Sequence, residues 1–456
     1  MFPPSPEKNH RKDTTMSRQR RPSPTARLVR RALPVIALAS TAGLVLAGCG
    51  GDAGGASGDG GDKTLKVLIA APQEGAGAIL EKDFEAATGV EVEVEVVPYD
   101  QIQTKAILDA QSGTNNYDVI QYWYTSVGAL ADAGALADIT DWVESDEDID
   151  SGDFIEAIFG PYSQYEDATY GLPIDGDTHV LFYNKAIFER NGVEVPTTWD
   201  EYVEVSKKIT DAEKANGVYG NALLGSKSAF NIGSTFFNRL ATMSPDPIDP
   251  QMPQLDTEYA VAAAQSMLDA SPSALPSPLE IGFEQALPQF LSGSVGMIEF
   301  WTDLGVFAQD PEQSKIVDGW GVAPLPVGPE GKVSGALNAG WAMGISPNAS
   351  DEDLAKQFVA FASSKETNEK LITTTGSGVD PTRTSTLESP EYVEFAPEVS
   401  AVAAEVLPNA QSWPTSPQAP EMIQSLSDNL ALMLQGGLTA EQAMQNTWDT
   451  WQSLAD

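Results

Sequence analysis

The 456-residue sequence predicts an α/β protein of two domains built on a mostly parallel sheet. Two observations carry this. Apolar runs of strand length alternate with helix-period segments between Lys66 and Ile120, the order expected when crossover helices join parallel strands. Roughly 394 residues follow the glycine-rich stretch that ends at Asp62, which exceeds one ordinary domain and suits two.

The elements follow in order. Lys66 to Ala70 (KVLIA) is a short buried strand, and Gly77 to Thr88 a helix with Leu80, Phe84 and Ala87 on one face and Gly89 as its stop. Val90 to Val97 alternates valine with Glu91, Glu93 and Glu95, so one strand face is wet. Asp100 is placed to cap a helix striped by Ile102, Ala106, Ile107 and Ala110, and Tyr117 to Ile120 is the next strand. Further on, Thr198 with Glu201 and Thr439 with Gln442 form capping boxes, and Ser350 is placed to cap Asp351 to Ser363, whose apolar positions are Leu354, Phe358, Val359 and Phe361. Val295 to Phe300 is a strand. The proline-rich stretches Ser244 to Pro253 and Ser271 to Pro278 are loops. The chain contains no internal repeat or heptad run.

Charge and rare residues exclude several chemistries. The chain has 26 Lys+Arg against 65 Asp+Glu, a net −39, but nine basic and two acidic residues precede Cys49, so the leader is +7 and the rest −46. Phosphate backbones repel such a body, which argues against a nucleic-acid partner. With one cysteine and two histidines, His10 and His179, there is no Cys/His zinc cluster, internal disulfide or Cys-His nucleophile, and a Ser-His-Asp triad would have to use His179. Carboxylate-only catalysis, oxygen-ligated metal binding or pure binding survive.

The N-terminus reads as an address. A basic stretch from Arg18 to Arg31 precedes fifteen largely apolar residues, Ala32 to Leu46, too few for the roughly 20 of a membrane span, and then Ala47-Gly48-Cys49. Residues 1–48 are read as a signal peptide, with Met16 the better start, since the segment before it is polar and proline-containing. Leu46-Ala47-Gly48-Cys49 resembles the bacterial lipobox, which implies a lipid on Cys49. Gly50 to Asp62 is about half glycine with no large apolar residue, so 49–62 is expected to be a lipidated tether. The composition fits a cell-membrane lipoprotein of a high-GC Gram-positive bacterium.

Four ordered segments resemble the extracellular solute-binding proteins of ABC importers, in the carbohydrate and maltose-type branch. They are Tyr117-Asp118-Val119-Ile120 with Tyr122-Trp123-Tyr124 and Gly134 to Thr140; Tyr170 to Asp177 with Leu181 to Lys185 and Pro196 to Tyr202; Phe290 to Met297 with Trp301 and Gly321 to Pro326; and Gly340 to Ser346. The resemblance spans nearly all the chain beyond Lys63. It implies a two-lobed, type II periplasmic-binding-protein-like α/β fold with the ligand in the cleft between discontinuous lobes, 63–174 plus 299–339 and 175–298 plus 340–456. It also implies a sugar or polyol cargo, a membrane permease as partner, no cofactor and a monomer. Independently, ligands of parallel sheets sit beyond the carboxyl ends of the strands.

A sugar offers hydroxyls and C–H faces, so its site needs aromatic platforms with carboxylates and amides around them. Tyr122, Trp123 and Tyr124 follow a strand where a cleft loop belongs, although at least one of three consecutive aromatics should pack in the core. Asp175 and Asp177 flank Gly176 at the first proposed crossing; a solvated Asp-Gly turn is the plain alternative. Trp301 and Trp341 are assigned to the second and third crossings, as ligand platforms or hinge packing, with Asp303 beside the first. In the loop from Gly376 to Arg383, Asp380 and Arg383 are candidates, and Arg383 either binds vicinal hydroxyls or pairs with Asp380. The resemblance adds Trp413, and Gln73 and Glu74 complete the set. His179 is read as a core or rim histidine, and Ser145 to Asp153 as a solvated acidic loop, since it lacks the glycine and glutamate of a calcium loop. The rivals are a lipid-anchored glycoside hydrolase using pairs from Asp175, Asp177, Glu284 and Glu299, and the same receptor with a peptide, amino-acid derivative or phosphorylated polyol.

Overall fold

The computed structural model describes residues 63–329 and 337–455. The leader, Cys49 and the glycine-rich stretch lie outside them. Alternating or continuous apolar patterns give nine principal strands in two sheets. In the first, β1 (Thr64–Ala70) pairs in parallel with β2 (Glu91–Val97) and β3 (Val119–Trp123), joined by helices α1 (Glu74–Thr88) and α2 (Ile102–Ser112). The chain reaches β4 (Leu172–Asp175) and crosses to the second sheet, formed by β5 (His179–Asn184), β6 (Tyr219–Asn221), β7 (Val295–Trp301) and β8 (Trp320–Ala323). It then returns as β9 (Trp341–Ile345), antiparallel between β3 and β4. The sheet orders are β2-β1-β3-β9-β4 and β8-β5-β7-β6.

The sheets are mixed where parallel strands were expected. In the second sheet only β6 and β7 are parallel, while β5 runs antiparallel to both of its neighbours, β7 and β8. The later lobe boundaries also change places. After Trp301 the chain does not cross: a short helix, Leu304–Gln309, turns it back to add β8 to the edge of the second sheet, and the crossing falls between Ala323 and Trp341. Thus 299–323 belongs with the second lobe, while β9 and the helix that packs on it, Glu352–Ser363, belong with the first. The final helices, Ala419–Leu434 and Ala440–Ala455, pack on each other and on Glu258–Ala270 of the second lobe.

Local chemistry explains the helix ends. Gly89 ends α1 with φ +76°, and both capping boxes form. Two expected caps differ. Asp100 lies in a 3₁₀ turn, Tyr99–Gln101, and makes no cap bond. Asp351 rather than Ser350 caps its helix, accepting from Leu354 N at 3.1 Å, because the Ser350 hydroxyl is drawn 2.8 Å to Asp118.

One buried ion pair organises the second lobe. Arg239, on the helix Ser234–Met243, donates to both Glu299 oxygens at 2.8 Å, is fully buried, and lies 4.2 Å over the Trp199 ring. The next residue on that helix, Asn238, donates to His179 Nδ1 at 2.8 Å, and the His179 ring meets Trp301 edge-on at 4.2 Å. The pair therefore fixes both strands that end at the cleft. Removing one partner strands the other charge in the core, so Glu299→Gln is expected to lose about 3–5 kcal/mol in urea unfolding; a loss under 1 kcal/mol would show that the pair is not what holds the lobe.

Candidate functional site

Both sheets present their strand ends to one space. A cavity of about 710 Å³ lies there, lined from the first lobe by Ala71, Pro72, Gln73, Tyr99, Asp175 and Trp341 and from the second by Phe230, Asn231, Phe283, Glu284, Gln285 and Trp301, with Asp177 on the crossing and Asp303 beyond β7. The lobes touch across it, the rings of Tyr99 and Phe230 lying 5.2 Å apart. Phe230 also stacks on Trp301 at 4.4 Å, Phe283 meets Trp301 at 5.4 Å, and Tyr99 meets Trp341 edge-on at 5.9 Å. Aromatic rings from both lobes thus contribute to the wall.

The crossings hold the polar groups. Thr178 pairs with Asn338, and Leu337 with Gln411, so three segments run side by side beneath the cavity. Asp175 accepts from Asp380 N at 2.8 Å and from Gln73 Nε2 at 3.1 Å. Asp177 accepts from Thr178 N at 2.7 Å and from the Thr302 hydroxyl at 2.8 Å. Among the described residues no Lys, Arg or His lines the cavity. Burial, and then the neighbouring Asp380 carboxylate, pushes both Asp175 and Asp177 far above the ordinary carboxylate range. Asp303 is pushed up to about 8 by burial and Asp380, and Asp380 to about 6 by burial. Burial lowers His179 to about 3, so its ring is neutral and serves packing.

Of the residues chosen from sequence, Gln73, Asp175, Asp177, Trp301, Asp303 and Trp341 line this cavity, and Asp380 adjoins it. The aromatic triplet does not. Tyr122 is fully buried and donates to Tyr162 O, while Tyr124 stacks on Tyr162 at 4.5 Å and accepts from Trp413 N. Trp123 packs edge-on against Tyr99 and Trp413, one layer behind the wall. Trp413 is fully buried on Phe237. Glu74 is exposed at the start of α1. Arg383 takes neither expected course. Its guanidinium donates to Ser363 O, Ile149 O and Asp150 O and lies 3.9 Å over Phe154, which ties down the acidic stretch, where Asp153 is 3.6 Å away.

Sequence reading missed Tyr99, Phe230, Asn231, Phe283 and Gln285, and named Glu284 only as a hydrolase carboxylate. Three of them sit in irregular turns: Tyr99 in the 3₁₀ turn before α2, and Phe230 and Asn231 in a π-helical turn, Ala229–Gly233, before a helix. The available signal was an aromatic beside a helix start at each place.

A ligand-sized cavity enclosed between two discontinuous α/β lobes, walled by aromatic faces and hydrogen-bonding side chains, defines a two-lobed binding protein of the type II periplasmic class. The chain belongs to the bacterial extracellular solute-binding protein family, whose model matches residues 62–369. It is 26% identical over 374 residues to a probable amino-acid ABC transporter periplasmic-binding protein of Sinorhizobium fredii (80% of this chain, 83% of that one). It is 25% identical over 379 residues to an arabinooligosaccharide-binding protein of Halalkalibacterium halodurans (79% and 82%). In fold it matches an ABC transporter solute-binding protein of Agrobacterium radiobacter in complex with ribitol, with TM-score 0.78 and 24% identity over 86% of this chain and 98% of that one.

The raised carboxyl groups give a pH signature. Their folded-state values exceed their unfolded ones, so the folded protein holds extra protons between about pH 4 and pH 8 and loses that stability as pH rises through the window. The ligand-free protein should melt at progressively lower temperature from pH 5 to pH 8. Asp303→Asn should flatten the profile by raising the high-pH end; a variant whose slope matched the parent's would contradict the assignment.

Proposed function

We propose that this protein captures a sugar or polyol between its lobes outside the cytoplasmic membrane and delivers it, chemically unchanged, to a membrane permease, held near the membrane by a lipid on Cys49. The observation that carries the cargo class is the cavity wall: Tyr99, Phe230, Phe283, Trp301 and Trp341 offer flat apolar surface for C–H faces, with Gln73, Asp175, Asp177, Asn231 and Gln285 beside them to meet hydroxyls. Relatives and structural neighbours described as binding arabinooligosaccharide, erythritol or L-threitol, and ribitol support it. Closure is favoured only by contacts to both lobes, which this wall provides.

Other cargoes fit less well. A phosphorylated polyol would bring net negative charge to a wall of four carboxylates, among the described residues without a cation to meet it, and an amino acid would bring a carboxylate along with its ammonium. Three of the four carboxylates weighed for hydrolysis are already engaged. Glu299 is held at both oxygens by Arg239, Asp175 by Gln73 and a backbone amide, and Asp177 by Thr178 and Thr302, leaving Glu284 alone exposed.

Titration with a panel of pentitols, hexitols, erythritol, maltose and arabino-oligosaccharides should shift the tryptophan emission with at least one member, and ligand at a hundred times its Kd should add about 2.7 kcal/mol of stability. Trp301→Ala should weaken that ligand by about tenfold, the order of one lost aromatic platform. A panel without spectral or thermal response would sink the cargo assignment.

A further inference from the structure

The cavity is unbalanced in charge and in hydrogen bonding, and both imbalances point the same way. Asp175, Asp177, Glu284 and Asp303 line it, and Asp380 joins Asp303 in the adjoining wall. Within the described residues none of these five makes an ion pair, whereas the buried Glu299 nearby has Arg239. Three acceptors are enclosed and meet no donor: Gln73 Oε1, Asp303 Oδ1 and Asp380 Oδ2. Gln73 and Asp380 are 3% and 4% exposed. The Gln73 amide cannot be turned round to cure its own deficit, because its nitrogen is held by two acceptors, Asp175 Oδ2 and Gly378 O. Trp301 Nε1 is the one enclosed donor of this lining without a partner, so among the described residues unmet acceptors outnumber unmet donors and no cation answers them.

The aromatic lining suits the same occupant. Phe230 and Trp301 cover one face of each other, and the ring faces of this lining left uncovered carry the negative side of the quadrupole, which attracts a cation. A neutral sugar answers the faces and some acceptors but leaves the carboxylate charge unmet. Burial first, and for Asp175, Asp177 and Asp303 the neighbouring Asp380 carboxylate, raises these aspartates, and a cation placed among them would oppose that push.

We propose that the cargo is a cationic sugar or polyol, one bearing a protonated amine, whose ammonium donates to the carboxylates of Asp175, Asp177 and Asp303 and the Gln73 carbonyl while its hydroxylated body lies on the aromatic faces. This rests on the sugar and polyol reading above and narrows it. Ammonium supplies three donors and one charge, matching the groups that are short of both.

Calorimetric titration of the full-length protein with matched pairs tests it: glucose against glucosamine, sorbitol against 1-amino-1-deoxysorbitol, with gluconate as the anionic control. The amine of a pair should bind about tenfold or more tighter than its neutral partner, the scale of a charge-assisted hydrogen bond, and gluconate weakest. Asp303→Asn should cut the amine-to-neutral affinity ratio by about tenfold, the readout being that ratio and not either affinity alone. Should that variant not fold, Glu284→Gln, at an exposed position, should still weaken amines more than neutral partners; equal effects on both would count against the proposal. If neutral polyols bind as well as or better than the amines, the cationic assignment falls and the sugar reading stands. If neither the amines nor the earlier panel binds, both fall together.

Discussion

Where Gly340 passes β4, a Cβ would lie 2.0 Å from the Asp175 carbonyl oxygen, and where Gly176 passes the loop after Thr374, a Cβ would lie 2.0 Å from the Pro381 carbonyl oxygen. Only glycine permits backbones to approach this closely. The approach lets Gly176 N reach Asp380 O and Asp380 N reach the Asp175 side chain, so the first crossing and the 376–383 loop become one body. The cavity floor, the placing of its carboxylates and the closeness of the lobes all follow from these two contacts. A larger residue at either position would part the segments and open the carboxylates to water.

Keeping carboxylates dry is costly unless something answers their charge. The protein answers only part of it, with amides and hydroxyls at Asp175 and Asp177, and leaves acceptors at Gln73, Asp303 and Asp380 unmet. This differs from the second lobe, where Arg239 meets Glu299 with paired hydrogen bonds and the arrangement is closed. One site is finished by the chain itself. The other is finished by what enters it, which is how a binding protein makes closure depend on its ligand.

Much of this was legible in the sequence because short-range rules governed it. The strands, most helices and both capping boxes follow from periodicity and local hydrogen bonding, and the glycine-flanked Asp175-Gly176-Asp177 marked the crossing. What failed depended on distant partners. Ser350 lost its cap to Asp118, which is far away in sequence. Arg383 found the carbonyls of Ile149 and Asp150, and Tyr124 found Trp413, so residues with the chemistry of a site were absorbed by packing. The exchange of 299–323 with the β9 segment is invisible locally, since a strand carries no mark of which sheet it will join. Tyr99, Phe230 and Phe283 were missed because a single aromatic at a turn has no pattern to distinguish it from core.

The acidic surplus of the whole chain bears on selectivity only at a distance. A net −39 repels anions and draws cations towards the surface, but at physiological salt that field fades within about 8 Å. It can enrich cationic solutes near the mouth of the cleft and cannot by itself choose among them. Choice requires charges that solvent does not screen, and these are the buried Asp175, Asp177 and Asp380, with Asp303 beside them, set against aromatic faces. A surface rich in acid is therefore compatible with many cargoes, whereas a group of buried carboxylates with no basic neighbour among the described residues is compatible with few.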